Sequence, residues 1–170
     1  MDIAPFKQKI KIVGVEEARR LSRAELAGWN ILSIRSRRDE PLSFPGARSA
    51  KSIHFDDVQA DSPENQLFAA RPEDIQEAIT FSRGIGNGPL LIHCAAGISR
   101  STALAWIILY DKMKIKPDAV RRSFDIVRKI RPILCPNGHV LRLGIDALVP
   151  GDSREAVIRQ FQDCLAELHT

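Results

Sequence analysis

The feature that most constrains the fold is a strand–loop–helix unit in the middle of the chain. Three apolar residues, Leu90–Ile92, follow the turn-forming run Gly86–Pro89, and such a bounded apolar run is typical of a buried β-strand. Small residues come next, and Thr102–Tyr110 is then apolar nearly all round, which predicts a buried helix. A buried strand that passes through a short loop into a buried helix favours an α/β fold.

The remaining sequence extends this architecture. Short β-prone runs lie at Ile10–Val13 and Asn30–Ile34, with a further candidate strand at Ser52–Phe55. Prolines and a glycine indicate an irregular loop over Arg35–Lys51. Five helices are expected: Pro72 to Gly84, just after Arg100 to about Lys112, Pro117 to the residue before Pro132, Asn137 to Leu148, and Ser153 to Leu168, the last with Asp152 and Glu155 as a candidate capping pair. We therefore predict an α/β fold whose central, mainly parallel sheet is flanked by helices, with a helical C-terminal half.

Composition and length predict one ordinary domain over residues 1–170. The apolar content is 44% and the charged content 27%, as in soluble globular proteins. The longest apolar run, Thr102–Tyr110, is far shorter than the roughly 20 residues that a membrane span needs, and Met1–Lys7 lacks the pattern of a secretory signal. Three cysteines are too few for a disulfide framework, so we expect a reducing, cytoplasmic environment.

The net charge of +4 is not concentrated in one region of the sequence. Basic residues cluster at Arg35–Arg38 and Arg121–Arg131, but apolar or acidic residues alternate with them. Solvated faces explain such clusters better than a nucleic-acid surface, which would favour a one-sided basic excess with interleaved aromatics. We therefore expect neither a nucleic acid nor a membrane as partner.

The loop between the predicted strand and helix carries the chemistry. Cys94 and Arg100 are separated by five residues, Ala95, Ala96, Gly97, Ile98 and Ser99. These are small enough for the backbone to wrap its N–H groups inward and bind a tetrahedral dianion without a metal or any other cofactor. The same field favours the thiolate form of Cys94, which is the nucleophilic form.

Three neighbouring side chains would complete this site. The guanidinium of Arg100 can grip two phosphate oxygens at once. Ser101 can donate a hydrogen bond to the sulfur when the sulfur departs, and His93 is expected to orient the loop rather than to act as a base.

The stretch from His93 to Ala103 resembles the signature of the protein tyrosine phosphatase superfamily, and most closely its dual-specificity branch. Downstream, Val127–Pro132 and the pair Pro136–Asn137 are similar to the family's next helix and its Pro-Asn turn. The resemblance covers about Leu90 to Leu148 well and the N-terminal third weakly. It implies a phosphatase whose substrate is a phosphorylated protein or a small phosphoester, and it implies that Asn137 braces the loop.

The resemblance also implies an upstream aspartate that protonates the leaving group. The pattern Ile-x-Phe-x-Asp at Ile53 to Asp57 fits Asp57 best, with Asp56 and Asp61 as alternatives. Asp57 lies 37 positions before Cys94, a longer interval than is usual in the family. An extended surface loop over Asp61–Arg71 is expected to account for the excess.

Two other functions remain open at this stage. The segment from Leu21 to Ala47 faintly resembles a rhodanese-like sulfurtransferase, but the active loop of that family is usually one residue shorter. A non-catalytic, phosphate-binding pseudophosphatase is the second alternative, although Cys94, Arg100 and Ser101 are all present. Histidines and cysteines lack the spacing of a metal site. Cys135 could form a disulfide with oxidised Cys94, but packing is the simpler explanation for Cys135, as it is for Cys164.

Overall fold

The computed structural model describes residues 7–169 and contains one four-stranded parallel sheet. The strands are β1 (Ile10–Gly14), β2 (Asn30–Arg35), β3 (Ser49–His54) and β4 (Leu90–Cys94), in the spatial order β1-β4-β2-β3. Because all four strands run in one direction, their carboxyl ends lie along the same edge of the sheet. In open parallel sheets this is the edge at which ligands bind.

Helices cover the sheet and fill the C-terminal half of the chain. They are α1 (Val15–Arg20), α2 (Pro63–Phe68), α3 (Pro72–Ile85), α4 (Arg100–Met113), α5 (Ala119–Ile130), α6 (Gly138–Leu148) and α7 (Gly151–Ala166), and a 3₁₀ turn follows at Glu167–His169. The α/β fold class, the parallel sheet and the five predicted helices are confirmed. The expectation about a secretory signal concerns Met1–Lys7, which except for Lys7 lies outside the described residues. Within residues 7–169, no helix has the combined length and apolar character to cross a membrane.

Helix α4 is the centre of the hydrophobic core. Twelve of its 14 residues are buried, so its start is held in place by packing on all sides. Trp106 is fully buried, with ring centroids 4.9 Å from Phe124 and 4.3 Å from Phe161. Offset aromatic contacts at these distances add to the stabilisation from area burial. The loop that precedes α4 is therefore attached to a helix that is buried over most of its length.

The N-terminal half departs from the sequence prediction at two places. The predicted loop Arg35–Lys51 is wrong at both ends, because Arg35 closes β2 and Ser49–Lys51 open β3. Ser49–Lys51 is weakly β-prone, but it pairs with Asn30–Leu32 in parallel register, so tertiary pairing overrides propensity. The predicted extended loop Asp61–Arg71 instead contains α2, in which the Ser62 hydroxyl caps the N-terminus by accepting a hydrogen bond from Asn65 N at 3.1 Å.

Two predicted helix ends are also corrected. Helix α3 continues past Gly84 to Ile85, and Gly86, with φ of +58°, ends it, since a left-handed backbone suits glycine. Helix α7 begins at Gly151, before the proposed capping pair, and Pro150 at its N-cap offers no side-chain hydrogen bond. Asp152 lies instead in the first turn of α7, where its charge complements the helix dipole.

Candidate active site

Cys94 is the last residue of β4, at the carboxyl edge of the sheet. Its side chain is buried, and its Sγ lies 3.2 Å from the backbone nitrogen of Gly97 and 3.2 Å from the Ser101 hydroxyl. The Gly97 N–H donates to the sulfur, and the Ser101 hydroxyl can donate to it when the sulfur carries a negative charge, which both contacts then stabilise. The predicted strand–loop–helix unit thus places Cys94, Gly97 and Ser101 together as expected.

The first half of the loop is held from outside through its carbonyl groups. The Ala95 carbonyl accepts a hydrogen bond from Val15 N at 2.9 Å, and the Ala96 carbonyl accepts one from Arg131 Nη2 at 3.1 Å. Because a trans peptide is planar, its C=O and N–H point in opposite directions. Carbonyls that point outward therefore direct the following N–H groups inward.

The second half of the loop is held in the same way. The Ile98 carbonyl accepts hydrogen bonds from Cys135 N at 2.9 Å and from the Thr102 hydroxyl at 2.5 Å. The Ser99 carbonyl accepts one from Asn137 N at 3.3 Å. These contacts give a physical reason for the anion-binding nest that the sequence suggested only through residue size.

Glycine is required at one position of the loop. Gly97 has φ of +72°, and a Cβ built there would lie 2.4 Å from the carbonyl carbon of Val13 and 2.6 Å from Gly14 N. Both the left-handed backbone and the close approach of the β1 end exclude a side chain.

Arg100 is the first residue of α4 and is 3% exposed. Its Nη1 donates to the Phe55 carbonyl at 2.9 Å and to the Ser36 hydroxyl at 3.3 Å, and its buried Nε has no hydrogen-bond partner among the described residues. No carboxylate in residues 7–169 forms an ion pair with it. A buried cation without a counter-ion is costly, so the site is built to receive an anion.

His93 directly precedes Cys94 in β4 and is fully buried. Its ring packs against Phe44 with centroids 5.4 Å apart, and Nδ1 is 3.5 Å from the Cys94 carbonyl oxygen, at the limit of a hydrogen bond. Burial, reinforced by the charges of Arg35 and Arg100, lowers the pKa of His93 to about 4. The ring is thus neutral at pH 7.

The three candidate aspartates have different surroundings. Asp57 Oδ1 accepts hydrogen bonds from the Ser99 hydroxyl at 2.7 Å and from Asn137 Nδ2 at 2.8 Å, so this carboxylate is attached to the loop. Asp56 turns away and accepts from Arg37 N at 3.0 Å. The carboxylate of Asp61 is exposed and accepts from a side chain of α2.

Asn137 connects the aspartate to the loop. Its side-chain oxygen caps α6 by accepting from Val140 N at 3.0 Å, while its amide nitrogen donates to Asp57 and to the Val58 carbonyl at 3.3 Å. Together with its backbone contact to Ser99, these bonds place Asn137 between the loop and the aspartate segment.

Some contributors to the site were not found from the sequence. Ser36 and the Phe55 carbonyl hold Arg100, and Arg131 holds the loop. The only sequence signal for the first two is that they directly follow β2 and β3, whose ends share an edge with Cys94.

The other two cysteines differ in exposure. Cys164 is buried in the core, as predicted, but Cys135 is exposed, so the predicted packing is wrong for it; its backbone N–H donates to the Ile98 carbonyl of the loop. Across residues 7–169, no group of three or more histidine, cysteine or acidic side chains could hold a metal ion.

Comparison with known proteins identifies relatives of this chain. The family described as dual specificity phosphatase, catalytic domain, matches residues 31–144. Mouse dual specificity protein phosphatase 2 is 35% identical over 114 residues, which are 64% of this chain and 32% of that protein. Human dual specificity protein phosphatase 1 is 36% identical over 86 residues, which are 47% of this chain and 23% of that protein. The chain thus spans a third or less of the length of these curated relatives.

Solved structures show the same fold at lower sequence identity. Human DUSP28 superposes with a TM-score of 0.58 at 17% identity, covering 94% of this chain and 93% of that one. The Yvh1 phosphatase domain from Chaetomium thermophilum superposes with a TM-score of 0.57 at 24% identity, covering 81% and 88%.

Proposed function

The chain belongs to the dual specificity phosphatase catalytic-domain family, and on this premise we propose that it hydrolyses phosphomonoesters through a cysteinyl-phosphate intermediate. The substrates are phosphotyrosine and also phosphoserine or phosphothreonine in proteins. The reaction uses no metal or other cofactor. The observation that carries the proposal is Arg100, a buried guanidinium with no carboxylate partner in residues 7–169, on the same loop as a thiol that already accepts a hydrogen bond.

The first chemical step transfers the phosphoryl group to sulfur. Cys94 Sγ attacks phosphorus in line, and the ester P–O bond breaks. Inward N–H groups of Ala95 to Ser99 and the fork of Arg100 hold the charge on the phosphoryl oxygens. Asp57, protonated at this stage, donates its proton to the departing oxygen.

The second step releases inorganic phosphate. Water attacks the cysteinyl phosphate, Asp57 accepts a proton from it, and the S–P bond breaks to restore the thiolate. The Ser101 hydroxyl, 3.2 Å from Sγ, donates a hydrogen bond to the departing sulfur. His93, whose Nδ1 lies 3.5 Å from the Cys94 carbonyl oxygen, orients the start of the loop.

The geometry favours Asp57 over its neighbours for the acid–base role. Its Oδ1 is fixed by Ser99 and Asn137, while Oδ2 has no partner in residues 7–169. Fixing one oxygen orients the carboxyl group and leaves the other oxygen for proton transfer. Asp56 is held instead by the backbone of Arg37, and no hydrogen bond joins its carboxylate to the loop within residues 7–169.

The alternatives lack comparable support. A sulfurtransferase would use a smaller loop, and the match to the phosphatase family spans the whole Cys-x5-Arg segment. A pseudophosphatase would be expected to lack a functional group, but the thiol, guanidinium, hydroxyl and carboxylate are all present at the site.

Hydrolysis of an aryl phosphate in the presence of a chelator tests the proposal. Wild-type protein is expected to release phosphate, and Cys94→Ser is expected to lower kcat by roughly 10⁴-fold or more. Cys135→Ser is the matched control. It retains the backbone contact to Ile98, so its rate is expected to equal that of the wild type.

Phosphate release that survives Cys94→Ser would reject the mechanism. Thiocyanate production from thiosulfate, measured in parallel, would instead favour the sulfurtransferase. Binding of inorganic phosphate with no turnover of any phosphopeptide would favour the pseudophosphatase.

We also propose that residues 1–170 act as a single phosphatase domain in a reducing compartment such as the cytoplasm. The support is chemical, since the nucleophile must be a free thiolate and all three cysteines are unpaired.

A further inference from the structure

The first half of the phosphate-binding loop depends on contacts outside the loop. Ala95–Gly97 has left β4 and has not yet entered α4, so no regular hydrogen-bond pattern fixes its peptides. The most consequential of these peptides joins Ala96 to Gly97, because its N–H is the one that donates to Cys94 Sγ at 3.2 Å.

The opposite end of this same peptide is held by a side chain. Arg131 Nη2 donates to the Ala96 carbonyl at 3.1 Å. Since the peptide is planar, the direction of the Ala96 C=O sets the direction of the Gly97 N–H. The arginine therefore controls a hydrogen bond to the nucleophile without approaching the sulfur itself.

A carboxylate holds Arg131 in this position. Glu17 accepts two hydrogen bonds from its guanidinium, at 2.9 Å to Oε1 and 3.3 Å to Oε2. Oε1 also accepts from Gly14 N at 3.1 Å, and Gly14 is aligned with Cys94 in the sheet. Glu17 thus connects the arginine to the strand next to the nucleophile.

The protonation behaviour of Glu17 agrees with this role. Partial burial opposes its ionisation, but the hydrogen bonds from Arg131 and Gly14 outweigh that effect and hold the pKa of Glu17 below its usual range. The ion pair is partly exposed, with side-chain exposures of 23% for Arg131 and 49% for Glu17. Exposed pairs contribute little to stability, so its main effect is on geometry.

We propose that Glu17 and Arg131 form a positioning clamp that aims the Gly97 N–H at Cys94, and that oxyanion binding and catalysis depend on it. Neither side chain contacts the reacting atoms. This inference rests on the proposed phosphatase function for its kinetic consequences, but its consequence for oxyanion binding does not require turnover.

The experiment compares Arg131→Met, Arg131→Lys and the control Arg121→Met in the full chain. Arg121 likewise forms two hydrogen bonds with a surface glutamate, Glu167. It lies near the start of α5, whereas Arg131 directly follows the end of that helix beside the loop. We expect Arg131→Met to lower kcat/KM for a small aryl phosphate by about 10- to 100-fold, as misplacement near a reacting centre does. Its melting temperature should fall no further than that of Arg121→Met.

Two further readouts separate positioning from a purely structural role. The loss in Arg131→Met should include kcat and not only KM, because a displaced Gly97 N–H no longer faces the sulfur whose charge changes during the reaction. Affinity for inorganic tungstate, measured by calorimetry, should fall in parallel. Arg131→Lys should recover part of the activity and part of the tungstate affinity. Its single ammonium group can reach only one of the two acceptors of Arg131, the Ala96 carbonyl and the Glu17 carboxylate.

The exchanged pair Glu17→Arg with Arg131→Glu gives the strictest test. It restores opposite charges, but a glutamate at position 131 cannot donate to the Ala96 carbonyl, so activity should stay low. Recovery in the exchanged pair, or Arg131→Met with unchanged kcat/KM and tungstate affinity, would overturn the clamp. If the wild type binds tungstate but turns over no ester, the phosphatase proposal fails while the binding comparison still decides the clamp.

Discussion

The loop Cys94–Arg100 and the segment Asp56–Asp61 contribute to one site but are specified in different ways. The loop is continuous, and its residue types, spacing and flanking elements all follow from the local sequence. The aspartate segment contains three carboxylates, and the structure attaches one of them to the loop through Ser99 and Asn137. The local motif can therefore be recognised from the sequence. The aspartate that faces it is selected by hydrogen bonds to residues 42 and 80 positions further along the chain.

The largest expected effect tests the loop itself. Gly97→Ala should lower kcat/KM by on the order of 10³-fold or more, because a Cβ would overlap the backbone of Val13 and Gly14 and several oxyanion donors would be displaced. Steady-state kinetics on an aryl phosphate measure this effect. The matched control is Gly84→Ala, at a helical position where an added Cβ meets no atom within 4 Å. Equal activity in the two variants would show that the loop can bind substrate without the backbone conformation that Gly97 adopts here.

The next effect tests the aspartate side of the comparison. Asp57→Asn should slow hydrolysis of an ester with a poor leaving group by about 10²-fold, since general acid catalysis is lost, with much less effect when the leaving group is good. Asp56→Asn, one residue away, should retain nearly the full rate. The assignment of Asp57 as the acid is rejected if, across a series of leaving groups, Asp56→Asn shows the rate loss and Asp57→Asn retains nearly the full rate.

The smallest effect concerns His93, the buried residue directly before Cys94. Its pKa is about 4 in the folded protein against 6.5 in the absence of its surroundings. The unfolded chain therefore takes up a proton between these values that the folded chain does not. The free energy of unfolding should fall as the pH drops from 6.5 towards 4, by at most about 3 kcal/mol, and should be independent of this group above 6.5.

Chemical denaturation at pH 7.5 and pH 4.5 measures this dependence. A His93→Gln variant, which cannot titrate in this range, should lose less stability than the wild type over the same interval. Subtracting the loss of stability in the variant from that in the wild type cancels the contribution of the carboxylates and the other histidines, which both proteins share. Equal losses in the two proteins would contradict a buried, neutral His93.

Elements with strong internal patterns were predicted well. Strand β4 opens with three apolar residues, α4 is apolar nearly all round over Thr102–Tyr110, and α5 has an apolar stripe that ends before Pro132. By contrast, β3 was predicted to begin three residues too late, at Ser52, and α2 was predicted to be part of a loop. Ser49–Lys51 is a strand because β2 pairs with it, and Pro63–Phe68 is a helix although the segment was expected to be a loop. The Ser-Pro-Glu start of α2 was a usable signal for that helix.

The sequence by itself determined the identity and order of the groups in the loop, because five residues between Cys94 and Arg100 and a strand–helix context restrict the backbone to few arrangements. Only the tertiary structure decided which aspartate faces the loop, that Ser36 and the Phe55 carbonyl hold Arg100, and that Arg131 orients the Ala96–Gly97 peptide. These contacts join the ends of separate strands and helices. Their direction depends on how the chain is packed, and no local periodicity or spacing encodes it.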